Sequence, residues 1–305
     1  MTELNIKSNI SLASYTTIRI GGPAKWLIEA TRTADIIPAY QWAQAQKIPV
    51  AVLGGGSNTI VADHGFNGLV IITRNDETIW QPPEVTAEAG VKLGHLIAGA
   101  LAHKLGGLSW LVGVPGTVGG AVAGNSGSRE AGLGDYVTWV DVLDQTGSRR
   151  LTHQQCNFSY RSSIFHNQPG CILGVRLKLP EVDQVIEQQK IAAAAAKKNS
   201  TQPMTDQSAG CMFINPTVEP NRLPVELRQY VFPDQTIASW RLITAVGLAG
   251  FRLGQLAIST KHANFLTNLG GGTADQVMQI ISLVKQRVRD TYGVQLHEEV
   301  RYLGF

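Results

Sequence analysis

Apolar positions recur along the chain with two periods, and the switches between them mark the expected elements. Residues 25–30 (KWLIEA) read as a short strand, and Thr33 is placed to cap a helix running to about residue 46. Pro38 is compatible with that helix only near its start, where a missing N–H breaks little. The run Pro49-Val50-Ala51-Val52-Leu53 is unbroken and of strand length, and residues 68–73 (GLVIIT) form a second strand. Between residues 91 and 105, Leu93, Leu96, Ile97, Ala100 and Leu101 draw the stripe of an amphipathic helix, while His95 and His103 fall off it and read as solvated. A hairpin is expected to turn at Asp144-Gln145-Thr146-Gly147, and residues 171–179 alternate as a strand. Residues 182–198 are polar and alanine-rich and read as a helix leading into a Thr-Gln-Pro loop. Thr273 and Gln276 form a capping box, Val277, Ile280, Ile281, Val284 and Val288 a buried stripe, and Gly293 a stop. The last ten or so residues, 294–303, alternate: Val294, Leu296, Glu298, Val300 and Tyr302 on one face, Gln295, His297, Glu299 and Arg301 on the other.

A chain of 305 residues has the length of about two domains, and the change of composition near residue 200 is the expected boundary. At 44% hydrophobic and 16% charged residues it is globular, not disordered. A net charge of +3 is no nucleic-acid footprint. Cys156, Cys171 and Cys211 are widely spaced and odd in number, which argues against a disulfide framework or zinc site and for a reducing compartment. With neither a secretory leader nor a stretch of membrane-span length visible, the chain reads as cytoplasmic, without membrane insertion.

Glycine is the compositional anomaly: 32 of 305 residues, against an average of roughly 7%, without a collagen-like period. Two clusters account for the interest. Gly54-Gly55-Gly56-Ser57-Asn58 follows a strand, where bare backbone can approach phosphate closely. It is not the dinucleotide motif, because Thr59 stands where the third glycine belongs, and no Walker pattern occurs, since Asn125 follows Gly119–Gly124 where lysine is required. The second cluster places Gly113, Gly116, Gly119, Gly120, Gly124 and Gly127 within 15 residues, beside apolar Trp110-Leu111-Val112. That density suggests backbone packed against an extended cofactor.

GGGSN, GVPGTVGGAVAGNSG, SYRSSIF, SAGCMFINP, KHANFLTN and EEVRYLG occur here in one order, and from Thr17-Ile18-Arg19-Ile20-Gly21-Gly22 onward the chain resembles the UDP-N-acetylenolpyruvoylglucosamine reductase family, in its branch lacking an inserted substrate-covering loop. The resemblance implies an α+β protein: an FAD-binding region of the vanillyl-alcohol-oxidase (PCMH) type over residues 1–199, in subdomains of about 1–65 and 66–199, and a C-terminal α+β substrate-binding domain over 200–305. It implies FAD as cofactor and NADPH as hydride donor. The reaction would reduce the enolpyruvyl group of UDP-N-acetylglucosamine enolpyruvate to give UDP-N-acetylmuramate for peptidoglycan synthesis. The expected species is a monomer with no metal and no nucleic-acid partner. By the same resemblance Gly54, Gly55, Gly56, Ser57 and Asn58 would wrap the FAD pyrophosphate, and Gly116, Thr117, Gly119 and Gly120 would line the flavin side.

Hydride addition to a vinyl carbon conjugated to a carboxylate builds an enediolate-like intermediate, which needs positive charge or donors at the carboxylate and an acid for the neighbouring carbon. Arg161 can supply fixed charge and paired hydrogen bonds. Glu299 matches the family glutamate that stabilises the intermediate, with a raised pKa expected, because an ionised carboxylate would repel the substrate's own. Cys211 stands where many members carry a serine proton donor; a thiol, with an ordinary pKa near 8.5, is the stronger acid. Ile214 is a second departure, occupying a position where a basic residue is usual. Asn215, Lys261 and His262 are the candidates for substrate binding. Two other readings stand beside this one: a flavin oxidoreductase of the same fold acting on an alcohol or sugar, and a non-catalytic nucleotide-sugar binder.

Overall fold

The computed structural model describes residues 4–128, 131–166 and 170–305. The chain gathers into two compact units, one of Met1–Ile10, Ala24–Gly55 and Asn67–Ser200, the other of Ser11–Pro23, Gly56–Phe66 and Thr201–Phe305. This differs from a single cut near residue 200: two N-terminal segments belong with the C-terminal residues. Burial gives the reason. Ile18, Ile20 and Ile60, 1%, 2% and 1% exposed, share one core with Phe213, Leu266 and Ile281.

In the first unit one sheet runs in the order Lys7–Ser11, Pro23–Ala30, Phe66–Thr73, Val50–Leu53. Val50–Leu53 lies parallel to Phe66–Thr73, with Val50 opposite Leu69 and Leu53 opposite Ile72. Leu69, Val70, Ile71 and Ile72 are wholly buried, as an unbroken apolar strand covered on both faces must be. The helix Thr33–Ala45 packs Ile36, Ala39, Tyr40 and Ala43 against Ile28, Leu69 and Ile71. Its cap is Arg32, not Thr33, because the Asp35 carboxylate accepts the Arg32 N–H at 3.1 Å. Thr33 instead donates its hydroxyl to Glu88 at 2.5 Å.

The second sheet of this unit is antiparallel, in the order Thr78–Gln81, Glu84–Glu88, Cys171–Lys178, Val137–Asp144, Gly147–Thr152. The expected tight turn joins the last two, with the Asp144 carboxylate accepting the Thr146 N–H at 2.8 Å. The helix Leu93–Ala102, shorter at both ends than expected, lays Leu93, Leu96, Ile97 and Ala100 into the core that holds Val85, Val140 and Val175. The alanine-rich helix, Gln184–Thr201, starts two residues later and ends three residues later than expected.

In the second unit Gln207–Cys211, Phe265–Asn268, Leu256–Ile258 and Arg252–Leu253 form an antiparallel sheet. The helix Ala274–Tyr292 buries Val277, Ile280, Ile281, Val284 and Val288; Thr273 caps it through the Gln276 N–H, and Gly293 ends it in the left-handed region at φ +69°. The final strand departs most from expectation. Only Arg301–Leu303 is strand, parallel to Thr59–Val61, and residues 297–299 pair instead with 212–214 through the single bridge of Glu298 to Phe213. The alternating segment changes ladder partner at a bend on Val300; Val294, Leu296 and Val300 still share one core as expected, while Tyr302 leaves that face, 37% exposed.

Candidate active site

The first unit contains a cavity of about 960 Å³, the upper range for a small-molecule site. Its lining includes Tyr40, Val50, Val52, Phe165 and Ile172, together with the small residues Gly54, Ala89, Gly119, Gly120 and Ala123. Lys47, Gln44 and Gln145 add polar groups. A lining that mixes glycine and alanine with apolar and polar side chains suits a long ligand with both a flat ring and phosphates. The glycines serve it unequally. A Cβ on Gly120 would meet nothing nearer than the Thr117 hydroxyl at 3.6 Å, so Gly120 leaves room at the lining itself. A Cβ on Gly55 would stand 2.8 Å from the Gly116 Cα, so this pair brings two backbones together. Thr117 caps the short helix Val118–Ala123 through the Gly120 N–H and packs against Gly54. Among the described residues the structure thus fits FAD: Gly54, Gly119 and Gly120 line the cavity, while Gly55, Gly116 and Thr117 build its frame.

Arg161 lies at the tip of a two-residue hairpin. Ser159 and Ser162 exchange both backbone hydrogen bonds at 3.0 Å, and Arg161 takes φ +55°, a left-handed conformation rare outside glycine. Such backbone persists where its surroundings over-determine it. Two anchors do so here: Asn125 donates its amide to the Ser159 carbonyl at 2.8 Å, and the Ser163 hydroxyl donates to the Ala123 carbonyl at 2.6 Å. Asn125 also accepts the Gly134 N–H at 2.9 Å. The far end of the second glycine cluster is therefore the brace of the arginine hairpin. Sequence reading missed that role, although Asn125 lies inside the motif GVPGTVGGAVAGNSG.

In the second unit Cys211 ends its strand, half-buried, after an extra residue has been accommodated between Ser208 and Cys211. Gly210 absorbs that bulge at φ +77°. Cys156 and Cys171 are buried thiols pushed by burial up to about 11 and about 12, so Cys211 is the accessible one. Asn264 clamps Phe213, two residues on: its carbonyl oxygen accepts the Phe213 N–H at 3.0 Å and its amide donates to the Phe213 carbonyl at 2.7 Å. The Glu299 N–H donates to the Met212 carbonyl at 2.8 Å, which sets Glu299 one residue across the ladder from Cys211. Glu298 is occupied elsewhere, paired with Lys285 at 2.8 Å.

The candidate substrate-binding residues divide. Asn215 accepts the Ser239 N–H at 3.1 Å with its side-chain oxygen, while the Ser239 hydroxyl donates to the Ile214 carbonyl at 2.6 Å. Lys261 is exposed. His262 stands 5.0 Å from the Phe265 ring, edge-on, and 5.7 Å from Trp240, with its Nδ1 buried. Burial pushes its pKa down to about 4, so it is neutral at physiological pH. Ser57 and Asn58 belong to this unit, where Asn58 turns its amide to the Glu299 carbonyl at 3.1 Å. Among the described residues no group of three or more metal-ligating side chains is gathered, and no helix is long and apolar enough to cross a membrane.

Comparison with known proteins finds two matched regions. Residues 24–152 match an FAD-binding domain family, and residues 202–303 match the C-terminal domain of UDP-N-acetylenolpyruvoylglucosamine reductase. The reductase of that name from Parasynechococcus marenigrum is 36% identical over all of this chain and 98% of its own length. The one from Acaryochloris marina is 37% identical over 98% of this chain and 93% of its own. The crystal structure of the reductase from Thermus caldophilus superposes with a TM-score of 0.79 at 30% identity, covering 99% of this chain and all of that one. With both matched regions in order along one polypeptide, the chain belongs to the UDP-N-acetylenolpyruvoylglucosamine reductase family of FAD-dependent oxidoreductases, which reduce the enolpyruvyl group of the nucleotide sugar in peptidoglycan synthesis.

Proposed function

We propose that Arg161, Cys211 and Glu299 carry the reduction of UDP-N-acetylglucosamine enolpyruvate to UDP-N-acetylmuramate, in the cytoplasm and in a monomer. FAD, held along Gly54, Gly119 and Gly120, would supply the hydride, taken from NADPH, for the terminal vinyl carbon. The Arg161 guanidinium, held rigidly by its hairpin, pairs with the substrate carboxylate as negative charge builds there. Glu299, protonated when substrate is bound, donates a hydrogen bond to the same group. The Cys211 thiol gives its proton to the carbon next to the carboxylate, so that one hydride and one proton saturate the double bond. Asn215, Lys261 and His262 are assigned to the nucleotide sugar. Lys261 offers charge to its diphosphate, and His262, neutral and among aromatic rings, offers a hydrogen bond or a ring face.

The observations that support this reading are that Cys211 is the accessible thiol, that Glu299 bonds through its N–H to Met212, the residue after Cys211, and that its neighbour Glu298 is tied to Lys285. The test is anaerobic. NADPH reduces the flavin of the purified 32.9 kDa monomer, and added UDP-N-acetylglucosamine enolpyruvate reoxidises it. Cys211→Ser should keep turnover. Cys211→Ala should still accept electrons from NADPH but lose substrate-driven reoxidation by about 10²-fold or more, the usual weight of a general acid. Normal reoxidation in the alanine variant would remove Cys211 from the mechanism, and peroxide produced with an alcohol or sugar would favour the other flavin chemistry.

A further inference from the structure

Asn58 was expected at the cofactor phosphates, yet its bonds in the second unit lead to the glutamate. Its side-chain Nδ2 donates to the Glu299 carbonyl at 3.1 Å, and its own carbonyl accepts the Arg301 N–H at 2.8 Å. The Glu299 N–H is held by Met212 at 2.8 Å. Both backbone groups of Glu299 are thereby engaged, one by each neighbouring segment.

The place where this happens explains why a side chain is needed. Residues 297–299 pair with 212–214, and Arg301–Leu303 pairs with Thr59–Val61. The changeover falls at the bend on Val300. A carbonyl at such a changeover points away from the regular ladders, and a half-buried carbonyl requires a partner. An asparagine amide supplies the donor that the main chain does not. Thr17 makes the corresponding link to the other segment: its N–H donates to the Gly56 carbonyl at 3.2 Å and its hydroxyl to the Ser208 carbonyl at 2.6 Å, at the last regular pair before the bulge that precedes Cys211. An added Cβ on Gly210 would meet only the Ser57 carbonyl, at 3.8 Å. Residues 56–58 thus bond to Glu299 directly and to the strand of Cys211 through Thr17.

We propose that Asn58 is a positioning residue for Glu299: its amide fixes the Glu299 carbonyl, and with it the direction of the carboxyl group, at a bend where no ladder does so. This rests on the reading of Glu299 as a group that acts on the substrate carboxylate. The test is a double-mutant cycle on the FAD-loaded enzyme, using Asn58→Ala, Glu299→Gln and the two combined. Each is followed through the NADPH half-reaction and the substrate half-reaction by anaerobic stopped-flow. Asn58→Ala should slow reoxidation by roughly 10- to 100-fold, the cost of misplacing a reacting group by about an ångström, and should slow flavin reduction far less. It should also shift the pH dependence of reoxidation that Glu299→Gln abolishes. The double variant should be no slower than Glu299→Gln alone. Losses that multiply would make Asn58 independent of Glu299 and overturn the proposal, and so would normal reoxidation in Asn58→Ala beside a slow Glu299→Gln. If Asn58→Ala purifies without flavin, the same cycle is run on protein reconstituted with excess FAD, and the same outcomes support or overturn the proposal. Native reoxidation in Glu299→Gln would remove the glutamate's role itself, a result distinct from either of these.

Discussion

At the scale of single residues, surroundings set what a side chain can do. Glu298 and Glu299 cannot be told apart by composition, and alternation chose Glu299 by assigning its neighbour to the apolar face. In the structure Glu298 is held by Lys285 at 2.8 Å, and Glu299 bonds through its N–H to Met212 just before the bend on Val300. His262 shows what sequence cannot carry. Its letter in KHANF says nothing of burial, yet the rings of Trp240 and Phe265 and the loss of water push its pKa down to about 4. Between that value and the ordinary 6.5 the unfolded chain binds a proton that the folded chain refuses. The associated stability is therefore complete above about pH 6.5 and is lost as the pH falls toward 4. His262→Gln should flatten the fall of Tm across that interval, measured on the purified protein; an unchanged slope would mean that His262 is solvated.

At the scale of elements, regular periodicity was readable and changes of partner were not. The helix Ala274–Tyr292 was legible to within a residue because its stripe lies inside it and its cap and stop directly flank it. The 294–303 segment was not, because its alternation is compatible with one ladder or with two used in turn. The strand Thr59–Val61 and the bulge at Gly210 went unseen for the same reason: each is set by residues distant in sequence. Even the well-read helix has a non-local part. Asp63, 211 residues away, accepts the Ala274 N–H at 2.8 Å and the Asp275 N–H at 3.0 Å with its two carboxylate oxygens. That places a negative charge on two unpaired donors at the positive end of the helix dipole. Asp63→Ala should cost about 1–2 kcal/mol, the range for losing a cap, seen as a lower urea midpoint at unchanged slope. Asp63→Asn, which keeps one acceptor, should cost less. A midpoint that does not move would show these two bonds to be without energetic weight.

At the scale of the whole molecule, order along the chain and membership of a unit diverge. The six motifs identified the family because they occur in sequence order, and order is a property a sequence displays directly. Which segments fold together is a property of burial, and TIRIGG gives no sign that Ile18 and Ile20 belong with residues 201–305. The ties are specific. Asn268 donates its amide to the Ile18 carbonyl at 2.9 Å, Thr17 holds Ser208, and Thr59–Val61 is the ladder partner of Arg301–Leu303. A cut after Ser200 would therefore strand residues 11–23 and 56–66 without their core, leaving Ile18, Ile20 and Ile60, each at most 2% exposed, in contact with water. Burial of such a side chain is worth roughly 1.5–3 kcal/mol, a large share of the few kcal/mol by which domains are stable. The fragment 1–200, despite containing the whole FAD-binding match, should aggregate or bind a hydrophobic dye, and co-expression with 201–305 should restore a soluble, flavin-bearing complex. A monodisperse 1–200 fragment with a single cooperative melt would show instead that the two N-terminal segments fold without the C-terminal residues.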